Sequence, residues 1–235
     1  MSDSLRIALV AEGPTDTVII DAALRAILKA RAFILTQLQP EATRPEMESG
    51  WCGVTKWCHK TRLRCENLHR TDITLSGFDL LIIHLDIDVA RKSYADCSPA
   101  AESMAQEFCW AALPCDEQPC PPVSATCDQV EAALKSWLGQ LSPIQRTLCC
   151  LPAQSSGTWL AAAVLNSGHA VLQRPECDPV EDRMAILPKS ERIKKSVKEY
   201  RQHASKITSK WDQVKSICTQ AERFEQNVLA TINRN

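Results

Sequence analysis

The sequence predicts an α/β fold in which a mostly parallel sheet of about four strands is flanked by helices. Short apolar runs, each as long as a strand, alternate along the chain with longer segments whose apolar residues recur at helical spacing. The first run and the strongest later run are continuous, which is typical of parallel strands that are buried on both faces.

The first strand and helix form the clearest unit. The apolar run 7–11 breaks at Glu12-Gly13-Pro14-Thr15-Asp16, and an amphipathic helix then extends to about Arg31. Glu12 should therefore lie at the carboxyl tip of a buried strand, which is where open α/β sheets place their chemistry.

The later elements continue the alternation. Further strands are predicted at 33–38, 78–85 and 146–151, an exposed loop at 39–50, and helices at 53–68, 100–113 and 127–138. Ser155 or Ser156 is a candidate cap for a helix through Val164. Residues 191–232 are predicted to form two more helices.

These elements suggest three regions. Residues 1–166 form the α/β catalytic domain, residues 167–188 a linker or lid, and residues 189–235 a basic helical extension. We expect this extension to pack on the domain or on a partner.

Charge is distributed unevenly along the chain. Residues 188–235 contain eleven Lys and Arg against five Asp and Glu, whereas residues 1–187 contain 16 basic against 23 acidic side chains. Lys194, Lys195, Lys198 and Arg201 are spaced to form a basic face on one helix, which could contact a nucleic-acid backbone. A solvated helix face is the alternative interpretation.

The cysteines and the N-terminal residues indicate a cytoplasmic location without membrane contact. None of the twelve cysteines forms a C-x-x-C pair, and the N-terminal residues lack a basic signal-peptide pattern. We therefore expect most of the twelve cysteines to be reduced thiols. Cys58, Cys65 and His69 fall at helical spacing, so metal binding there remains an alternative to a buried helix face.

The residues best suited to chemistry follow two apolar strands. Asp86 and Asp88 should project to one side because side chains alternate along a strand, and parallel neighbours would bring Glu12 beside them. Clustered carboxylates suit Mg²⁺ or Mn²⁺. In the alternative interpretation, Asp86 caps the next helix and Glu12 is a solvated loop acid. His84 shares the side of Asp86, but we interpret it as a satisfied core histidine rather than a ligand.

The turn after the first strand suits phosphate. Gly13 permits close approach of a backbone, and the amides at the start of the next helix favour an anion.

The strand, the Glu-Gly-x-Thr-Asp turn, the helix and the later Asp-x-Asp strand resemble the Toprim superfamily, which topoisomerases, primases and OLD-family nucleases share. The resemblance covers most of the first 165 residues. It implies that Glu12 acts as general acid or base, that Asp86 and Asp88 bind Mg²⁺, and that Asp16 is a candidate ligand of a second ion. Small Toprim-like proteins that are encoded beside ATPases in bacterial defence loci are similar in further segments, including Trp159-Leu160-Ala161.

This resemblance implies a Mg²⁺-dependent nuclease that cleaves DNA or RNA, as the effector of an ATPase-containing anti-phage defence complex, with self-association left open. The family pattern has an acid two residues before Trp159, where this chain has Gly157. A regulatory or scaffold subunit with weakened catalysis is therefore one alternative. A doubly wound phosphoryl-handling domain outside the Toprim superfamily is another.

Overall fold

The sheet has four parallel strands with helices against both faces, which confirms the predicted fold class. The computed structural model describes residues 4–41, 43, 45–67, 72–114 and 120–233. The strands are β1 (Leu5–Val10), β2 (Phe33–Gln39), β3 (Leu80–His84) and β4 (Thr147–Cys150). The helices are α1 (Pro14–Leu28), α2 (Gly50–Asn67), α3 (Pro99–Glu107), α4 (Ser124–Trp137), α5 (Gly157–Val164), α6 (Val180–Ala185), α7 (Val197–Ser209), α8 (Trp211–Ile217) and α9 (Thr219–Ile232).

Strands β1 and β3 are neighbours at the centre of the sheet, whose order is β2-β1-β3-β4. Their register pairs Ile7 with Leu80 and Val10 with Ile83. Because both strands run in the same direction, the segments that follow Val10 and His84 emerge side by side at one edge of the sheet.

The sheet separates two hydrophobic clusters. Ile7 and Ile82 face the cluster that contains α1, α5 and the C-terminal helices, whereas Val10 and Ile83 face the cluster that contains α2 and α4. Both faces of β1 and β3 are therefore dry, which explains why their sequences are continuous apolar runs.

The C-terminal helices belong to the same core as the sheet. Tyr200 on α7 and Phe224 on α9 are buried in the cluster that contains β1 and α1. In addition, the Thr208 hydroxyl donates a hydrogen bond of 2.8 Å to the carbonyl oxygen of Ala22 on α1. We expected residues 189–235 to pack on the domain or on a partner, and their described helices pack on the domain. Three helices replace the predicted two because the backbone is not helical at Lys210 and Cys218.

Residues 167–188 contain a 3-10 helix at Ala170–Leu172 and the helix α6. Val171, Leu172, Val180 and Met184 are buried in the same cluster as the sheet. Residues 167–188, which we predicted to form a linker or lid, therefore contribute side chains to the same hydrophobic core as the sheet.

Two predicted elements differ from the structure. The helix predicted at 100–113 ends at Glu107, because Cys109 adopts a positive φ of 50° that breaks the helical path. The loop predicted at 39–50 contains a 3-10 helix at Pro45–Met47, and Gln39 and Met47 are buried. The Gln39 side chain donates a 2.7 Å hydrogen bond to the Glu48 carbonyl, which holds this loop against the core.

Four cysteines form two disulfides, Cys52–Cys97 and Cys120–Cys177. The sequence predicted that most cysteines are reduced but did not reveal that these four pair, because sequence spacing says nothing about which cysteines meet in space. Seven other described cysteines are free: Cys58, Cys65, Cys109, Cys127, Cys149, Cys150 and Cys218. Within the described ranges, no helix combines the length and the apolar character that crossing a membrane requires.

Candidate metal centre

Glu12 and Asp86 meet at the carboxyl edge of the sheet. Each residue lies two positions beyond the end of its strand, and the parallel pairing of β1 with β3 brings the two strand ends together. The Asp86 amide donates a 2.7 Å hydrogen bond to Glu12 Oε1. The predicted juxtaposition of these two acids is therefore present, and Glu12 is not a freely solvated loop acid.

Asp86 does not act as a helix cap. It occupies the residue before a 3-10 helix at Ile87–Arg91, but its side chain accepts no capping hydrogen bond from that helix. Asp86 Oδ1 instead accepts a 2.9 Å hydrogen bond from the Ser156 amide, at the start of α5. The carboxylate is buried, at 4% exposure, and lies beside ligand atoms of Glu12 and His84.

His84 completes a group of three potential ligands. Glu12, His84 and Asp86 each offer one ligand atom, and these atoms lie within 4.8 Å of one another. His84 Nε2 is 3.1 Å from Asp86 Oδ1, yet neither ring nitrogen has a hydrogen-bond partner, and the side chain is fully buried. The prediction of a core histidine is correct about burial, and the strand alternation turns His84 toward Asp86, its ion-pair partner.

The pKa values of the three side chains are shifted in a consistent way. Burial and the neighbouring Asp86 carboxylate raise the pKa of Glu12 well above its ordinary value. Burial raises the pKa of Asp86 to about 6, with His84 opposing that rise. Burial would lower the pKa of His84, but Asp86 and Asp16 outweigh it and raise this pKa to about 9. A buried space with excess negative charge accounts for all three shifts, and a divalent cation would supply the missing positive charge.

Asp16 lies next to this group without belonging to it. Its Oδ2 accepts a 2.8 Å hydrogen bond from the Gly13 amide, and its Oδ1 accepts a 2.7 Å hydrogen bond from the Ser156 hydroxyl. Asp16 therefore closes the turn after β1 and connects α1 to α5. At the turn that we predicted to suit phosphate through close approach at Gly13, the Gly13 amide is used by this carboxylate.

Ser156 forms hydrogen bonds to two acidic residues, Asp86 and Asp16. The sequence indicated it only as a helix cap, but its side chain makes no capping hydrogen bond to α5. Its amide and its hydroxyl instead bind Asp86 and Asp16, which belong to two other elements. The Ser-Ser-Gly sequence is equally typical of a surface turn, so no sequence signal could have revealed these contacts.

Asp88 is not part of the three-residue group. The prediction that it projects together with Asp86 is wrong, because β3 ends at His84 and the backbone becomes a 3-10 helix from Ile87. Strand alternation therefore stops before Asp88, whose side chain is exposed. Asp88 is still close enough to raise the pKa of Asp86 slightly, as a minor contribution after burial.

A carboxylate that sequence reasoning missed lies over Gly157. A Cβ added at Gly157 would lie 2.8 Å from Glu181 Cγ, so the Glu181 side chain occupies the space that a side chain at position 157 would need. The Tyr200 hydroxyl donates to Glu181 Oε1, and Lys195 Nζ lies 2.8 Å from Glu181 Oε2. Glu181 belongs to the segment predicted as a linker or lid, where no pattern singled it out.

The predicted basic helix face is only partly correct. Helix α7 begins at Val197, so Lys194 and Lys195 precede it, and the predicted single face for these lysines is wrong. Lys195 is paired with Glu181, while Lys194 and Lys198 are exposed. Ser196 caps α7 and thereby sets its start, which sequence spacing alone did not reveal.

The second candidate metal site is not assembled among the described residues. Cys58 and Cys65 are buried on α2, and burial raises the pKa of both thiols. His69 lies outside the described residues. His59 packs edge-on against Phe108 and Trp110, which is typical of a core aromatic contact.

The three clustered side chains fit a divalent cation. Two carboxylates and one imidazole are ordinary ligands of such ions, and the buried, unpartnered nitrogens of His84 are what a ligand without its ion would look like. The arrangement could hold one ion at the edge of the sheet with Glu12 beside it. Comparison with protein-family models, with curated proteins and with solved structures finds no match to this chain.

Proposed function

We propose that this chain is a Mg²⁺- or Mn²⁺-dependent nuclease that hydrolyses phosphodiester bonds of DNA or RNA. The single observation that carries the proposal is the meeting of Glu12 and Asp86, from neighbouring parallel strands, beside the buried His84. The adjacency of β1 and β3 is the arrangement that a Toprim-like site requires, and other doubly wound domains with the strand order 2-1-3-4 share it.

Asp86 and His84 would hold the ion, and Glu12 is positioned to complete the ligand set or to move a proton. When bound, the ion would polarise a phosphodiester and lower the pKa of a water molecule. Burial and the Asp86 carboxylate raise the pKa of Glu12, which suits a group that takes up and releases a proton during the reaction. Ser156 and Asp16 hold the Asp86 side of the site in place.

The substrate would approach basic residues just before α7 and in its first turn. Lys195 is about half exposed; burial would lower its pKa, but Glu181 outweighs burial, and Asp86 and Asp16 add smaller increases. Lys198 is exposed at the start of α7. Both ammonium groups could bind phosphate oxygens of a nucleic-acid backbone. We further propose that the protein acts with an ATPase partner in a bacterial anti-phage defence system, as the resemblance implies.

The proposal is tested with purified full-length protein, freed of metal and then supplied with Mg²⁺ or Mn²⁺, on plasmid DNA and on a labelled RNA. Cleavage should require the ion and should fall at least about 100-fold in Glu12→Gln and in Asp86→Asn. Asp212→Asn is the matched control, because Asp212 is an almost fully exposed acid on α8. Wild-type activity in both site variants would refute the proposal.

A second candidate function is a regulatory or scaffold subunit that keeps the fold but has weak or no turnover. It is favoured by Gly157, which offers no ligand, and by Glu181, which is held by Lys195 and Tyr200. Calorimetry separates the two candidates. A wild-type protein that shows no heat with Mg²⁺ or Mn²⁺, and that cleaves neither nucleic acid, would favour the regulatory role.

A further inference from the structure

His84 faces the acid pair because of its place on β3. It is the last residue of that strand, and strand alternation puts it on the same side as Asp86. The strand is covered on both faces, and His84 pairs in register with Cys150 on β4. The imidazole therefore has little freedom to turn away from the strand ends.

The ring nitrogens of His84 are unusual for a fully buried histidine. Buried polar atoms nearly always have hydrogen-bond partners, because leaving one unpaired in a dry interior is costly. Neither nitrogen of His84 meets the geometric criteria for a hydrogen bond in the structure. The ion-pair partner of Nε2 is Asp86 Oδ1, at 3.1 Å.

The distance between these two atoms suits two ligands of one ion. Ligands at right angles, each about 2.1 Å from a metal, lie about 3 Å apart. The observed 3.1 Å agrees with this separation, and Glu12 supplies a third atom within the same 4.8 Å group. The Glu12 side is fixed by its hydrogen bond from the Asp86 amide.

We infer that His84 Nε2 is a direct ligand, so that the site prefers a transition ion such as Mn²⁺ over Mg²⁺. Mg²⁺ strongly favours oxygen ligands and keeps much of its water, whereas transition ions accept imidazole nitrogen more readily, Fe²⁺, Ni²⁺ and Zn²⁺ more strongly than Mn²⁺. This inference rests on the metal site of the proposed function, but it does not require the protein to cleave nucleic acid.

The test detects the nitrogen directly. Mn²⁺ bound to the full-length protein is studied by pulsed electron paramagnetic resonance, in which a coordinated nitrogen modulates the electron-spin echo. We expect this modulation in the wild-type protein and its loss in His84→Gln. His203→Gln is the control, because the charges that act on His203 are Lys206 and Glu199 rather than Glu12 or Asp86, and it should keep the modulation.

Two further measurements on the metal site decide the question even if His84→Gln does not fold. Labelling the wild-type histidines with ¹⁵N must change the modulation pattern if histidine is the ligand. Competition must also show that the wild-type protein binds Mn²⁺ at least about 10-fold more tightly than Mg²⁺, with a smaller preference in a folded His84→Gln.

Each outcome either supports or overturns the inference that His84 is a ligand. Bound Mn²⁺ without nitrogen modulation would overturn the inference, with His84 then acting only as an ion-pair partner of Asp86, while the nuclease proposal would still stand. Nitrogen modulation without any cleavage would support the inference and count against the nuclease. Failure to bind Mn²⁺ at all would overturn the inference as well.

Discussion

The Asp86 amide donates a 2.7 Å hydrogen bond to Glu12 Oε1, which joins two residues that are 74 positions apart in the chain. The contact brings two acids together where they repel each other and where burial disfavours their charges. A fold that keeps such a pair gives up stability locally, and this is common where a site must bind a cation.

Replacing Glu12 should change stability in opposite directions with and without metal. In Glu12→Gln the amide oxygen can still accept from the Asp86 amide, but the buried charge is gone. We expect a higher melting temperature than wild type in EDTA at pH 8, and a smaller stabilisation by Mn²⁺. Each kcal/mol gained corresponds to about 2–4 °C. Thermal unfolding measures both effects, and equal shifts in EDTA and in Mn²⁺ would contradict the prediction.

The metal-free protein should lose stability as the pH rises from about 6.5 to 9. Burial lowers the pKa of His84, but Asp86 and Asp16 raise it overall to about 9, above its ordinary value of 6.5. A group whose pKa is raised by folding contributes its full stability below the unfolded pKa and loses it as the pH passes the folded one. Urea unfolding in EDTA should show this decline, and His84→Gln should flatten it. If the free energy of unfolding falls with pH as steeply in His84→Gln as in the wild type, groups other than His84 cause the decline.

A methyl group at position 157 should destabilise the protein by about 1–3 kcal/mol, because the Glu181 side chain already fills that space. Gly157→Ala is compared with Gly168→Ala, whose added Cβ would have no atom within 4 Å. In a Glu181→Ala background the cost of Gly157→Ala should fall by at least half, since the two sites share one space. A cost that does not depend on Glu181 would show that the contact is unimportant.

The disulfides should protect the fold. Cys52–Cys97 and Cys120–Cys177 join residues 45 and 57 positions apart, so each should contribute about 4 kcal/mol in the chain-entropy description. Mass spectrometry after alkylation without reduction should find these four cysteines unmodified. Paired Cys-to-Ser variants should unfold at lower urea concentrations. Alkylation of any of the four in unreduced, denatured protein would contradict the pairing.

The sequence by itself determined the fold class and most of the strands. Apolar runs such as the one before Glu12 and the one before Asp86 are continuous because both faces of β1 and β3 are buried, and this property is visible without a structure. The sequence also predicted that Glu12 and Asp86 lie together, since parallel strands end at the same edge of a sheet.

Only the tertiary structure decided which side chains complete the site. Asp88 lies outside the group because the backbone changes from strand to 3-10 helix after His84, a change that no apolar pattern marks. Ser156 and Glu181 reach the site from distant segments, through contacts that depend on how α5 and α6 pack. Local periodicity reports on one element at a time, whereas a site formed by several elements depends on their mutual packing, and so the last ligands and their supports are decided in three dimensions.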